Sequence, residues 1–246
     1  MKSMMGRTTR REITGSFGRY MAIMAIIALG VGLFAGLKVT KPTMVKITDE
    51  YVTEHQLYDY RLISTFGLEQ QDVDSFAALE AVRAAEGAVF ADVIYLFGED
   101  EAVRVAHMHS LTQNLNTLEL RAGRMPEAAD ECVVDERAFS EEAIGQKLYV
   151  SEDNSESTLE LLAYREYTIV GTVSSPAYLN FERGNTSVGN GVVSCFIYAP
   201  KEGFHFDYYS ELYVKLNSDL EIHSDAYQEE VDAHQDEMED ELNAAN

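Results

Sequence analysis

Residues 20–37 read YMAIMAIIALGVGLFAGL and contain no charged side chain. At a rise of about 1.5 Å per residue, a helix of this length spans about 27 Å, which is close to the thickness of the hydrocarbon core of a bilayer. The run therefore predicts one transmembrane helix near the start of a chain of 246 residues.

Charged residues are distributed unequally on the two sides of this run. Residues 1–19 carry five basic side chains and one acidic side chain, whereas the chain from residue 38 onward carries 14 basic and 41 acidic side chains. Because Lys and Arg are enriched on the cytoplasmic side of membrane helices, we expect a cytoplasmic N terminus in a cell membrane and an extracytoplasmic remainder. The basic residues expected at the inner membrane surface are Arg7, Arg10, Arg11 and Arg19.

Two alternatives to a membrane anchor remain open for the apolar run. A signal peptide has an apolar core of about 7–15 residues and ends at a small-x-small cleavage site, but here the longer run is followed by Lys38-Val39-Thr40-Lys41. A buried helix of a soluble protein would not explain the charge asymmetry. The sequence therefore favours an uncleaved anchor, in which Gly32 and Gly36 have the spacing that lets another membrane helix approach closely.

Composition excludes several classes of protein. The formal net charge of −23 disfavours nucleic acid as a partner, since a phosphate backbone would be repelled. With only two cysteines, the chain is neither a disulfide scaffold nor a four-cysteine zinc protein. Cys132 and Cys195 lie in apolar strand candidates, where either a disulfide or two buried thiols would fit.

The sequence after the apolar run predicts an α+β domain. We divide it into a stalk at 38–56, a domain at 57–225 and an acidic segment at 226–246. A helix is expected at 69–83, where apolar residues recur at helical spacing. Strands are expected at 57–66, 89–97, 102–109, 132–135, 147–151, 167–173, 192–198 and 212–216.

The last segment combines high negative charge with an apolar stripe. Residues 216–246 contain 11 acidic residues and no Lys or Arg. Such a helix would be marginal alone and would need a partner, while a solvated acidic tail is the alternative. The residues that recur at spacings of three and four are Tyr227, Val231, His234, Met238 and Leu242.

Residues that could carry chemistry are few. His107 and His109 would leave the same face of a strand and could ligate a metal, but no third ligand has a recognisable spacing. The sequence contains no Gly-x-Ser-x-Gly motif and no phosphate-binding Gly-rich loop followed by Lys and Ser or Thr. We therefore predict no enzyme activity, no cofactor and no metal site.

Several passages resemble FtsX/MacB-type ABC transporter permeases. The basic segment at 11–20 runs into ALGVGLFAGL, as at the start of these permeases. DYRLISTFGL at 59–68 is similar to the passage after their first membrane helix. Passages similar to their extracytoplasmic core domain are LRAGRMP at 120–126, ECVVD at 131–135, IGQKL at 144–148 and YTIVGTV at 167–173.

The resemblance implies a two-lobed, mixed α/β extracytoplasmic domain and a permease subunit that works with a separate cytoplasmic ATPase. In such proteins ATP hydrolysis moves the outer domain for export, for lipid or peptide release, or for mechanotransmission. Some members insert a coiled coil, which the segment 226–246 could begin. These permeases have several membrane helices and this sequence has one, so we expect an N-terminal portion or one piece of a split permease, completed by further permease helices or a second copy.

Two other functions remain open. A single-pass, anchored extracellular module that senses or binds cationic ligands would also explain the acidic composition. A secreted enzyme released by signal cleavage is a further alternative.

Overall fold

The computed structural model describes residues 15, 17–98 and 100–245. It contains a long N-terminal helix, α1 (Phe17–Glu54), that includes the whole predicted membrane segment. The helix continues through Pro42, so the predicted stalk is helical over most of its length. The chain divides into two units, one up to Glu50 and one from Tyr51 onward. We call the second unit the sheet domain.

The sheet domain contains ten strands and three further helices among the described residues. The helices are α2 (Gln70–Ala77), α3 (Glu156–Leu161) and α4 (Asp225–Ala245). The strands are β1 (Tyr60–Leu68), β2 (Val82–Ala88), β3 (Phe90–Phe97), β4 (Asp100–Ser110), β5 (Glu119–Gly123), β6 (Glu131–Asp135), β7 (Lys147–Val150), β8 (Glu166–Ser174), β9 (Val193–Ala199) and β10 (Tyr209–Leu216). The domain is therefore a mixed α/β fold, as the sequence predicted.

Three strands form a small antiparallel sheet in the order β1-β10-β2. Alternate residues of β10, such as Leu212 and Val214, point toward one apolar core, because side chains alternate across a strand. Phe76 of α2 and Met238 of α4 complete this core, and both are almost fully buried.

Seven strands form a second sheet in the order β5-β8-β6-β9-β4-β3-β7, and β7 also pairs with β8. The additional pairing closes six of these strands into a ring, which leaves them without a free edge in that direction. A large apolar cluster is built by the ring strands and includes Tyr95, Tyr167, Ile169 and Ile197. The two sheets thus have separate cores within one domain.

All eight predicted strands are present, but the predicted helix at 69–83 is wrong in its second half. The helix ends at Ala77, and Val82–Ala88 forms strand β2. The sequence VRAAEGA has little intrinsic strand propensity, so the pairing with β10 decides its conformation. Gly87 fits this position because a Cβ there would lie 2.6 Å from ring atoms of Tyr209. Strand β5 and helix α3 were not predicted.

The acidic C-terminal segment forms a helix and not a solvated tail. Its apolar stripe packs on the small sheet of the same chain, and Met238 at the centre of the stripe is 1% exposed. The like charges destabilise the isolated helix. Burial of its apolar stripe against α2 and β1 therefore supplies the stabilisation that the helix needs. That this helix begins a coiled coil stays a prediction.

A buried carboxylate fastens this helix to the sheet. Asp59 accepts hydrogen bonds from the Lys215 ammonium group at 2.8 Å and from the Leu216 amide at 2.6 Å. The Tyr227 hydroxyl of α4 also donates to Asp59. We call Asp59, Lys215 and Tyr227 the Asp59 clamp. Burial and the bond to Asp59 raise the pKa of Tyr227, so the hydroxyl remains a donor at neutral pH.

We expect Tyr227→Phe to loosen α4 without unfolding the domain. Loss of one hydrogen bond to a charged group costs about 1.5–3 kcal/mol, which corresponds to amide exchange in α4 at least about tenfold faster. Hydrogen exchange followed by mass spectrometry measures this rate. The half-exposed Tyr149 offers the control Tyr149→Phe, for which α4 exchange should not change. Equal protection of α4 in both variants would contradict the role given to the clamp.

Candidate functional site: the apolar helix and the polar junction of the sheet domain

The first functional element is the apolar part of α1. Within the described chain, α1 is the one helix whose length and composition would allow it to cross a membrane, with a mean hydropathy of 2.2 over its most apolar window. None of that window is buried. An apolar surface of this size exposed to water would be costly, so the helix requires lipid or other helices around it.

The sequence-predicted residues of this helix are all exposed. A Cβ added at Gly32 or Gly36 would meet no atom within 4 Å. Their surface is thus open to a neighbouring helix, although the predicted packing itself stays a prediction. Arg19 lies exposed in the first turns of α1. The other three basic positions, Arg7, Arg10 and Arg11, lie outside the described residues.

The second element is a polar junction between the two sheets, centred on Glu211 of β10. Glu211 is 1% exposed and accepts hydrogen bonds from Arg61 Nε at 3.0 Å and from the Tyr213 hydroxyl at 2.6 Å. The Arg61 guanidinium also lies 5.2 Å from the ring centre of Phe90, which belongs to the second sheet. One ion pair therefore contacts both sheets. Its carboxylate is buried while the Arg61 side chain is 34% exposed, so removal of Arg61 would leave the buried charge of Glu211 uncompensated.

The two histidines singled out in the sequence lie at this junction, and both rings contact Phe90. His107 Nδ1 is hydrogen bonded to Asp92, and the Thr186 hydroxyl donates to the other oxygen of the same carboxylate. Burial acts to raise the pKa of Asp92, but these two hydrogen bonds outweigh it and lower the pKa overall.

This arrangement does not form a catalytic triad. In a triad the nucleophilic hydroxyl faces the imidazole, whereas the Thr186 hydroxyl faces the carboxylate of Asp92. Thr186 belongs to the Gly-rich loop before β9, so Asp92 holds that loop against β3 and β4. No group of three His, Cys, Asp or Glu side chains suited to a metal occurs among the described residues.

His109 is almost fully buried in the junction, at 3% exposed. Its Nε2 atom lies 2.6 Å from the Tyr178 hydroxyl, and its ring stacks on Tyr198 with centroids 5.0 Å apart. Burial, followed by repulsion from Arg61, lowers the pKa of His109 well below its ordinary value. The imidazole is therefore neutral at physiological pH.

A second buried ion pair lies beside the last turn of α1. Arg183 donates to both oxygens of Asp135, at 2.6 and 2.9 Å, and their side chains are 4% and 2% exposed. The pair borders a cleft of about 200 Å³ that is also lined by Tyr51 and Arg121. Arg121 is itself paired with Glu119 at 2.8 Å, so Arg121 and Arg183 are both paired with carboxylates.

Both cysteines are free and buried. Cys195 Sγ lies 3.3 Å from the Tyr95 hydroxyl, and burial raises the pKa of its thiol to about 12. Burial also raises the pKa of Cys132. Both thiols therefore remain protonated at neutral pH and are poor nucleophiles.

Sequence reasoning singled out the two histidines of the junction but missed its ion pair, the ion pair of the clamp and the ion pair beside the cleft. Arg61, Glu211 and Asp135 each interrupt an apolar strand with a charge, which is a visible signal that a buried partner is required. Their partners lie 150 and 48 residues away in the chain, so the sequence offered no way to pair them.

Comparison with solved structures finds several similar chains. The chain is similar to the extracellular domain of the noncanonic ABC-type transporter YknZ from Gram-positive bacteria, with 12% identity, a TM-score of 0.40, and coverage of 72% of this chain and 92% of that one. It is also similar to the periplasmic region of MacB from Actinobacillus actinomycetemcomitans, with 13% identity, a TM-score of 0.41, and coverage of 72% and 75%. A domain of a permease protein from Porphyromonas gingivalis matches at 16% identity and a TM-score of 0.39, with coverage of 69% and 79%.

Two of these neighbours are thus the extracellular or periplasmic part of a protein, and the third is a domain of a permease protein. No protein-family model matches the sequence, and no curated protein matches it. The resemblance of the sequence to FtsX/MacB-type permeases led us to expect an apolar helix followed by an α/β domain, and the structure contains both.

The buried histidine of the sheet domain, His109, predicts a specific pH dependence. The folded protein holds His109 neutral, while the unfolded chain protonates it below a pKa of about 6.5. This contribution to stability is complete above that pH and is lost as the pH falls, at up to about 1.4 kcal/mol per pH unit. We expect His109→Gln, which keeps an acceptor for Tyr178, to flatten the decrease in thermal midpoint between pH 6.5 and pH 5.

Circular dichroism of the full chain in detergent micelles measures these midpoints. His205→Gln, a change in an exposed histidine, is the control and should follow the wild-type profile. An unchanged slope in His109→Gln would show that the decrease comes from other groups.

Proposed function

We propose that this chain is the N-terminal portion of a permease subunit of an FtsX/MacB-type ABC transporter. Its role would be to couple ATP hydrolysis by a cytoplasmic partner to movement of the extracytoplasmic sheet domain, for export, for lipid or peptide release, or for mechanotransmission. The observation that supports this most is the single helix α1, which begins with a segment of membrane-spanning length and ends at Glu54 inside the sheet domain.

The connection after α1 is suited to transmit movement because backbone hydrogen bonds hold it to neighbouring parts of the sheet domain. The Leu57 amide donates to the Val52 carbonyl at 2.9 Å, and the Asp59 amide donates to the Val214 carbonyl at 2.8 Å. The Asn116 amide donates to the Gln56 carbonyl at 3.0 Å. A displacement of the helix end would therefore move β1 and β10 directly, and through the Asp59 clamp also α4.

The partners follow from the same proposal. Gly32 and Gly36 would pack against the remaining permease helices or a second permease copy in the lipid membrane. Arg7, Arg10, Arg11 and Arg19 would lie at the inner membrane surface near the ATPase. The chain itself would hydrolyse no ATP and need no cofactor, because the partner supplies that chemistry.

The proposed topology can be tested with a membrane-impermeant maleimide on intact cells. Both native cysteines are buried protonated thiols, so the background labelling should be low. We expect Glu141→Cys, an exposed position of the sheet domain, to label in intact cells. Arg7→Cys should label only after the membrane is permeabilised. The reverse pattern would contradict a cytoplasmic N terminus.

The coupling itself requires contact with an ATPase. A photo-crosslinking amino acid at position 11 should form an adduct with a co-expressed ABC ATPase, because that position would lie at the cytoplasmic membrane surface. The same amino acid at the exposed position 141 is the control and should form none. If position 11 never yields an ATPase adduct while the topology is as proposed, the anchored module for cationic ligands becomes the better explanation.

A further inference from the structure

The helix α1 carries an unusual group of charges just beyond its apolar segment. Residues 38–48 (KVTKPTMVKIT) contain three lysines and no acidic residue. The rest of the chain, from residue 49, contains 11 basic and 41 acidic residues. We call residues 38–48 the lysine collar.

One side of the lysine collar is apolar. Val39, Met44 and Ile47 are 65%, 62% and 59% exposed. At about 100° per residue, Met44 and Ile47 fall on one side of the helix together with Thr40 and Thr43, and Lys38 and Lys41 fall on the opposite side. Val39 and Lys46 are neighbours at the border between the two sides. The apolar surface of α1 therefore continues beyond Leu37 on the side of Met44 and Ile47.

The two threonines do not interrupt this apolar surface. The Thr40 hydroxyl donates to the Gly36 carbonyl and the Thr43 hydroxyl donates to the Val39 carbonyl, both at 2.9 Å. A hydroxyl satisfied within its own helix needs no water and can face hydrocarbon. This side of the collar is thus compatible with lipid tails.

The lysine side carries charges that require a polar environment. The Lys46 ammonium group has only a 3.6 Å contact with Glu50, and the two side chains are 76% and 67% exposed. An exposed pair of this kind neutralises little charge. Lys38 Nζ lies 5.4 Å from the ring centre of Phe34, which leaves its hydrogen-bond donors free for an external acceptor. Long lysine stems can follow an apolar surface while the charge reaches the polar headgroups.

Pro42 adds a further preference for the interface. It has no amide hydrogen to bond the carbonyl four residues earlier, that of Lys38. Such a carbonyl is satisfied by water or headgroup donors, which are present at the interface and absent from the hydrocarbon core. A helix of residues 20–48 is about 43 Å long, close to the full thickness of a bilayer with its headgroups.

We propose that the lysine collar binds the phosphate groups of anionic lipids in the leaflet that faces the sheet domain. The proposal rests on the membrane insertion of α1 stated above. Lysines on the translocated side oppose the usual distribution of positive charge, and anionic phosphates give them a favourable partner there. The apolar side and the lysine side together place the helix at a defined depth, with the boundary between the hydrocarbon and the headgroups at the level of the collar.

Lipid selectivity of the full chain tests this binding. The chain is reconstituted into phosphatidylcholine vesicles with and without phosphatidylglycerol, and spin-labelled lipids report the preference for the anionic headgroup. We expect the wild type to prefer phosphatidylglycerol and K38Q/K41Q/K46Q to lose about fivefold or more of that preference. The control R83Q/K147Q/K201Q removes the same charge from the sheet domain and should keep it. Equal selectivity in all three proteins would overturn the proposal.

Two further measurements separate the possible failures. Alkaline extraction shows whether the chain is integrated in the vesicles, and a chain that is extracted would overturn both the membrane role and the collar. A chain that stays integrated but shows no lysine-dependent selectivity overturns the collar alone. In micelles, saturable binding of inorganic phosphate that the triple variant loses, without selectivity among lipids, would assign the lysines to a soluble anion and overturn the lipid assignment.

Discussion

The sheet domain depends on one buried carboxylate, that of Asp59. Its side chain is 1% exposed, and a charge at that depth is tolerated only with close partners. The partners come from two places in the chain: Lys215 and the Leu216 amide lie at the end of β10, and Tyr227 lies at the start of α4. The carboxylate thus holds together the start of β1, the end of β10 and the start of the C-terminal helix α4.

The two sheets are joined by polar contacts, although each has an apolar core of its own. Arg61, Glu211 and Tyr213 form a hydrogen-bonded group on the small sheet, and Phe90 and His109 face it from the larger one. Such a junction has a defined geometry because its donors and acceptors must meet their partners. The ring of six paired strands gives one side of the junction a rigid base.

These constraints give the proposed coupling a physical route. The last turn of α1 leads through hydrogen-bonded residues to the Asp59 clamp, and the clamp reaches both β10 and α4. The lysine collar would add a fixed reference to this route, since phosphate contacts on one side and hydrocarbon on the other resist movement of the helix along the membrane normal. Force applied at the inner end of α1 would then reach the sheet domain as tilt or rotation.

Much of the fold could be predicted because its signals are local. Most strands of the sheet domain show apolar or β-branched runs, and the stripe on α4 has helical spacing. Strand β2 is the informative failure, since VRAAEGA lacks a local strand signal and becomes a strand only by pairing with β10. In the candidate site, too, only the local signal could be predicted. The alternation of His107 and His109 was visible in the sequence, whereas their contacts with Asp92 and Tyr178 were not.

The sequence by itself determined the apolar segment, the opposite charges on its two sides and the alternation of strands and helices, because each depends on residues close together in the chain. Only the tertiary structure decided which charges are buried and with what partners. Arg61 meets Glu211, Asp135 meets Arg183, and Asp59 meets Lys215 across 150, 48 and 156 residues. Because an unpaired buried charge is costly, a buried charged side chain needs a partner of opposite charge. Only the folded backbone determines which pairs can form.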